Sequence, residues 1–154
     1  MTHTIALRAA GILIKNGKVL LQAPKDSEEY AFIGGHVEFG EQSADTLCRE
    51  WKEELGADIT VGKLQWIEEN FWIWNGEEQH TVCLTYTIVL DNESQIPLDG
   101  SFASKEQDSN VWFHWIPLGE VKNLTVYPTD AANLLAQLNG GIQHIIYREK
   151  EQNT

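Results

Sequence analysis

Arg49, Glu50, Glu53 and Glu54 crowd into six residues of one predicted helix. Carboxylates at i, i+3 and i+4 project from nearly the same side of a helix. Ser43 reads as the N-cap and Gly56 as the residue just past the end, so the acids occupy the last two turns. Like charges at that spacing repel by about a few tenths of a kcal/mol per pair, and a helix C-terminus repels anions as well. Helix stability gives no reason to gather acids there. A hard divalent cation held by oxygen ligands does.

The remaining residues of that helix supply a surface to pack it. Ala44, Leu47, Cys48, Trp51 and Leu55 form an apolar stripe at helical spacing, predicting burial against a sheet with the acids turned toward a cleft. A solvated helix with a glutamate-rich outer face is the plainer alternative. The segment ahead of the helix decides between them.

Gly35, five residues, Glu41, seven residues, then Arg49-Glu50-Trp51-Lys52-Glu53-Glu54-Leu55-Gly56-Ala57 is the full spacing. It resembles the signature of the Nudix hydrolases, G-x5-E-x7-R-E-U-x-E-E-x-G-U, where U is bulky and apolar. All seven fixed identities are present. At roughly 5–7% frequency each, such a match arises at a given start on the order of once in 10⁸. The departures fall on packing positions: Trp51 is bulkier than the usual aliphatic residue and Ala57 smaller. Ile33 stands where many members carry proline.

The resemblance implies an α/β fold, the Nudix-type α/β/α sandwich with a mixed sheet between helices, as a single domain over residues 1–154. It implies hydrolysis of a phosphoanhydride in a nucleoside diphosphate linked to another moiety: a nucleoside triphosphate, a nucleotide sugar or similar. Mg²⁺ is the implied cofactor, with Mn²⁺ as a substitute. Carried over residue by residue, Glu50 and Glu54 are the principal metal ligands, Glu53 a second-metal ligand, and the Gly34 carbonyl an oxygen donor. Arg49 orients the acids, and Glu41 assists through water or a salt bridge. The general base stays open between Glu50 and a loop carboxylate, Glu106 or Asp108. A non-catalytic nucleotide-binding module on the same fold is the alternative, but such modules often lack one of the signature acids and this chain has them all.

Other candidates rest on residue type alone. Trp72 and Trp74, with His80 across a hairpin, offer surfaces on which a nucleobase could stack, although strand aromatics are more often core. Arg8 and His36 could meet phosphate. The stretch Trp72 to Trp74 has neither the proline of ADP-ribose enzymes nor the tyrosine of dinucleoside polyphosphate enzymes, so the motif leaves the substrate open.

Composition narrows the partners. Net charge is −12 and the eleven Lys and Arg are scattered, which disfavours long nucleic acid, including RNA ends as substrate. A small polyphosphate is not so limited, because a bound cation inverts the local field. No apolar stretch approaches membrane-spanning length. Two cysteines, Cys48 and Cys83, read as buried free thiols in a reducing cytoplasm. Relatives that pair through their sheets make a homodimer an open expectation.

The elements that must position these residues can be read from punctuation. Asn16-Gly17 and Asn75-Gly76 mark two hairpins, the second joining Ile59–Trp74 to His80–Leu90. Asp91 to Asn110 reads as a long polar loop, Val111 to Ile116 as a strand. Pro128-Thr129 opens a second helix that buries Ala131, Leu134, Leu135 and Leu138, and a final strand lies near Ile142 to Tyr147.

Overall fold

A computed structural model describes residues 3–149. Eleven strands form two sheets. The first contains β1 (Ile5–Ile12), β5 (Ile33–His36), β6 (Ile59–Trp74), β7 (Glu77–Leu90) and β11 (Gln143–Arg148), in the order β11-β6-β7-β1-β5. The second contains β3 (Lys18–Pro24), β4 (Glu29–Ala31), β8 (Ser101–Ala103), β9 (Val111–Pro117) and β10 (Thr125–Tyr127), ordered β10-β4-β3-β9-β8, with β2 (Ile14–Lys15) beside β3. Ile5 to Lys15, expected as one strand ahead of the Asn16-Gly17 turn, divides at Leu13: β1 pairs parallel to β7, while β2 turns into the other sheet. Both predicted turns form, with Asn16 and Gly17 at φ 54° and 76° and Asn75 and Gly76 at 50° and 78°. Two consecutive positive φ values give a turn whose twist matches that of the strands it joins.

Two apolar cores flank the sheets. On one side α1 (Ser43–Leu55) inserts Leu47, Trp51 and Leu55 among Ala9, Ile33, Phe113 and Trp115. On the other, α2 (Ala131–Ala136) packs Ala131 and Leu134 near Ile12, Leu21, Phe32 and Trp66. Strand alternation explains the split, since Ala9 and Leu20 face α1 while their neighbours Ala10, Val19 and Leu21 face away. The layers are helix, sheets, helix, as expected.

The bulk of Trp51 has a local reason. Its indole is buried and donates from Nε1 to the Ile33 carbonyl at 3.2 Å. Gly11 leaves it room: a Cβ there would stand 3.2 Å from the indole nitrogen.

Three expectations for α1 need correction. Gln42, not Ser43, is the N-cap residue, and no side chain caps that end. Ser43 lies inside the helix, and its hydroxyl instead meets that of Tyr86 at 2.7 Å. Cys48 is exposed, whereas Thr46 is fully buried. Each residue turns the helix about 100°, so a buried arc running from Thr46 to Leu55 is rotated toward Glu50 and Glu54. Glu50 and Glu54 are therefore half-buried at the margin of the packed face rather than opposite it, while Glu53 stays exposed. Gly56 ends the helix as predicted, in the left-handed conformation at φ 68°.

Candidate active site

Two glycines let the acidic helix approach the sheet. Gly34 lies opposite Ala10 in the β1–β5 ladder, and a Cβ on it would fall 1.8 Å from the Ala9 carbonyl oxygen. At Gly35 a Cβ would sit 2.4 Å from the carboxyl carbon of Glu50. The pair brings backbone and carboxylate into contact that any larger residue would forbid.

Arg49 holds the front of the site together. Its Nε and one terminal nitrogen donate to the two oxygens of Glu41 at 2.9 and 3.0 Å. The same terminal nitrogen reaches the His36 carbonyl at 3.1 Å, and the other donates to Glu50 Oε1 at 2.9 Å. Glu53 lies at the margin of contact, 3.5 Å away. Glu41 also accepts from the Thr46 hydroxyl at 2.6 Å and from the Glu38 backbone N–H at 3.2 Å. These bonds, the Arg49 one first, hold the Glu41 carboxyl down at about 2. Glu41 is thus a fully engaged, ionised anchor, and the salt bridge expected of it is the one to Arg49.

Glu54 is the opposite case. Its Oε2 is buried with no hydrogen-bond partner. Burial first, then the charges of Glu50 and Glu106, push its carboxyl up to about 7. Glu50 is raised as well, chiefly by burial, against the pull of Arg49. Glu106 reaches the cluster because its loop is stitched to the end of α1: Lys105 N–H donates to the Glu54 carbonyl at 2.8 Å and the Ser104 hydroxyl to the same oxygen at 3.3 Å. Of the two loop acids, Glu106 rather than Asp108 is the one whose charge registers at Glu50 and Glu54.

The donor set suits a hard cation: carboxylate oxygens, one of them buried and unpartnered, with mutual repulsion that a positive ion would relieve. Among the described residues no three His, Cys, Asp or Glu side chains already converge at metal-ligand spacing. Arg49 stands as an internal countercharge to two of the acids, 2.9 Å from Glu50 and 3.5 Å from Glu53.

A cleft of about 490 Å³ opens on the sheet face that carries Arg8 and Ala10; its lining includes Arg8, Glu68, Asn70, Trp72, Trp74 and Tyr127 and none of Glu41, Glu50, Glu53, Glu54 or Glu106. Arg8 joins the two regions: it lines the cleft, its Nε is buried without a partner, and its charge partly offsets the rise that burial imposes on the carboxyls of Glu54 and Glu68. Trp72 and Trp74 sit on the wall, edge to face at 6.3 Å. His36 stands across from Arg8 in the ladder and is exposed, outside the cleft lining. His80 is a correction. It stacks on Phe71 at 4.4 Å, on the sheet face opposite Thr81 and Cys83 that line the cleft, because alternate strand residues face opposite ways.

Sequence reasoning missed Glu68, Asn70, Tyr127 and Tyr147. Glu68 and Asn70 carried a signal, since they share alternation with Trp72 and Trp74 along β6. Tyr127 and Tyr147 arrive from β10 and β11, and only the tertiary pairing of those strands brings them to the cleft.

The family model for the NUDIX domain matches residues 6–138. The chain belongs to the Nudix hydrolase family. Membership gives the reaction class, hydrolysis of a pyrophosphate bond. A CTP pyrophosphohydrolase of Escherichia coli is 43% identical over 58 residues, which span 35% of this chain and 43% of that enzyme. A Nudix hydrolase of Bacillus subtilis, YvcI, is 26% identical over 134 residues, covering 86% of this chain and 80% of the relative. Among solved structures, a MutT protein from Bacillus halodurans superposes with a TM-score of 0.65 at 20% identity, covering 93% of this chain and 90% of that one. The last likeness bears on the fold alone. The CTP pyrophosphohydrolase agrees with the reaction class, while YvcI, an uncharacterized Nudix hydrolase, bears on the family alone.

Proposed function

We propose that this Nudix hydrolase is a Mg²⁺-dependent enzyme that cleaves a nucleoside diphosphate linked to another moiety, such as a nucleoside triphosphate or a nucleotide sugar. The observation that carries the reading is the unpartnered buried oxygen of Glu54, set among Glu50 and Glu106 and linked to the cleft through Arg8, whose charge acts on Glu54 and whose side chain lines the cleft. Glu50, Glu53, Glu54 and the Gly34 carbonyl would hold the cation, with Mn²⁺ able to replace Mg²⁺. When bound, such an ion polarises phosphate oxygens, lowers the pKa of water and stabilises the leaving phosphate.

The chain's own groups then have separable roles. Arg49 fixes Glu50 and Glu41, so the acids keep their positions while charge develops on the substrate. Arg8, which lines the cleft with its buried Nε unpartnered, binds the substrate's negative charge. Glu106 takes the proton of the attacking water, because Glu50 has one oxygen committed to Arg49 and no carboxylate bond of Glu106 is found among the described residues. Trp72 and Trp74 offer faces for a base. His36 contacts phosphate only from the rim. The setting is a reducing cytoplasm, consistent with two free thiols.

The relative that cleaves CTP supports a nucleoside triphosphate over part of the chain. The test is hydrolysis with Mg²⁺ across nucleoside triphosphates, nucleotide sugars, ADP-ribose, dinucleotides and dinucleoside polyphosphates, with products identified. Release of a nucleoside monophosphate from at least one class supports the proposal. Stabilisation by these ligands with no phosphate-containing product from any of them contradicts it.

A further inference from the structure

Glu68 is a carboxylate inside the cleft that the hydrolytic chemistry does not use. It is 7% exposed, on the inward face of β6. Its Oε1 accepts from Trp66 Nε1 at 2.8 Å and its Oε2 from Asn70 Nδ2 at 3.1 Å. Both donors belong to its own strand, so they fix the carboxyl in place. The Thr85 hydroxyl of the neighbouring β7 is a third partner, and of the about four acceptor positions a carboxylate offers, one stays free. Among the described residues no arginine or lysine forms a salt bridge with it, although burial raises its carboxyl. An acceptor buried this way is favoured by any N–H brought against it and penalised by another acceptor.

Register says where it stands. Ile145, Glu68, Cys83, Arg8 and His36 are successive partners across β11, β6, β7, β1 and β5. Arg8 and Glu68 are thus two strands apart, about 10 Å, on one face and along one cleft. Arg8 lies toward the acids and Glu68 toward the far end. A nucleotide with its phosphates near Glu54 and Arg8 would carry its base toward Trp72, Trp74 and Glu68.

We propose that Glu68 is the specificity-determining residue of the cleft, selecting a nucleotide whose base carries an exocyclic amino group. Cytosine, adenine and guanine offer such a donor. Uracil and thymine turn carbonyl oxygens outward on either side of their one ring N–H and would set acceptor against acceptor. Loss of a partner at a buried polar group is the kind of mismatch that discriminates strongly between otherwise similar substrates. This inference rests on the nucleotide reading of the cleft.

The experiment separates it from turnover. Binding of CMP, AMP, GMP, UMP and dTMP is measured by calorimetry in EDTA, where neither a cation nor a scissile anhydride is present. At least one amino-bearing monophosphate should bind about tenfold or more tighter than UMP and dTMP. In Glu68→Gln, shown folded by circular dichroism, that ratio should fall to within about threefold. UMP or dTMP binding as tightly as the best of the other three would overturn the inference, as would absence of binding by all five, or a folded Glu68→Gln protein that keeps the ratio. Should Glu68→Gln fail to fold, the wild-type ratios alone decide. Selective binding without hydrolysis of any substrate in the Mg²⁺ screen would leave this inference standing while removing the proposed function.

Discussion

Replacing Glu54 with glutamine should make the metal-free protein more stable and the enzyme nearly inactive. The Glu54 carboxyl sits at about 7 against an ordinary 4.5, and each pH unit corresponds to about 1.4 kcal/mol. The full displacement would thus oppose ionisation by about 3 kcal/mol, which screening at this partly exposed group reduces to about 1–2 kcal/mol. Glutamine keeps the shape and removes the charge, and its new N–H group lies among carboxylates able to accept from it. The sign follows from proton binding. Between pH 4.5 and 7 the folded protein holds the Glu54 proton more tightly than the unfolded chain, so this residue's effect on wild-type stability worsens as pH rises. The variant lacks that slope. Thermal melts in EDTA should therefore show no gap at pH 4, a gap opening through pH 6, and a variant melting higher by about 2–6 °C at pH 8. Added Mg²⁺ should raise the wild-type melting temperature and leave the variant's unchanged. Turnover should fall on the order of a hundredfold or more, since ligand loss removes several kcal/mol of charge stabilisation. A variant less stable than wild type at pH 8, or a gap independent of pH, would refute the reasoning.

Arg49→Lys should lose most activity and about 2 kcal/mol of stability, because one ammonium cannot reproduce the fork that binds Glu41, Glu50 and the His36 carbonyl; urea melts and kcat measure both. Gly35→Ala should displace Glu50, with a drop in kcat larger than its loss of stability, whereas Gly34→Ala, whose Cβ would meet backbone, should fail to fold. Trp74→Ala should raise KM several-fold while His80→Ala leaves it within about twofold, since only the first lines the cleft; steady-state kinetics on one preferred substrate decides. Removing the Glu41 charge by Glu41→Gln should flatten the acid limb of the stability curve. Wild-type stabilisation from this group is complete above pH 4.5 and disappears as pH falls through about 2.

The apolar stripe and the signature spacing made the acidic helix and its glycine stop legible, because both are local patterns, while the part given to Arg49 came from the family resemblance. Asn-Gly pairs gave both hairpins for the same reason: a positive φ at two adjacent residues is a local demand. What the sequence left hidden depends on partners far along the chain. The helix turns Cys48 outward and draws Glu50 inward because Gly35 admits the carboxyl, a contact between residues fifteen apart. Division of the first strand at Leu13 follows from which sheets β1 and β2 join. His80 and Trp72 looked equivalent as hairpin aromatics, yet register sends one to Phe71 and the other to the cleft. Glu68 and Glu69 are adjacent acids that nothing local distinguishes, and it is the bonds to Trp66 and Asn70 that hold Glu68 inward.

Titration of the protein with Mn²⁺, followed by the loss of the free ion's paramagnetic resonance signal, tests the central claim most directly. Saturable binding to the wild type, displaced by Mg²⁺ and abolished in Glu54→Gln and Glu50→Gln, is the predicted result. No saturable binding to the wild type, or equal binding to the two variants, would contradict it.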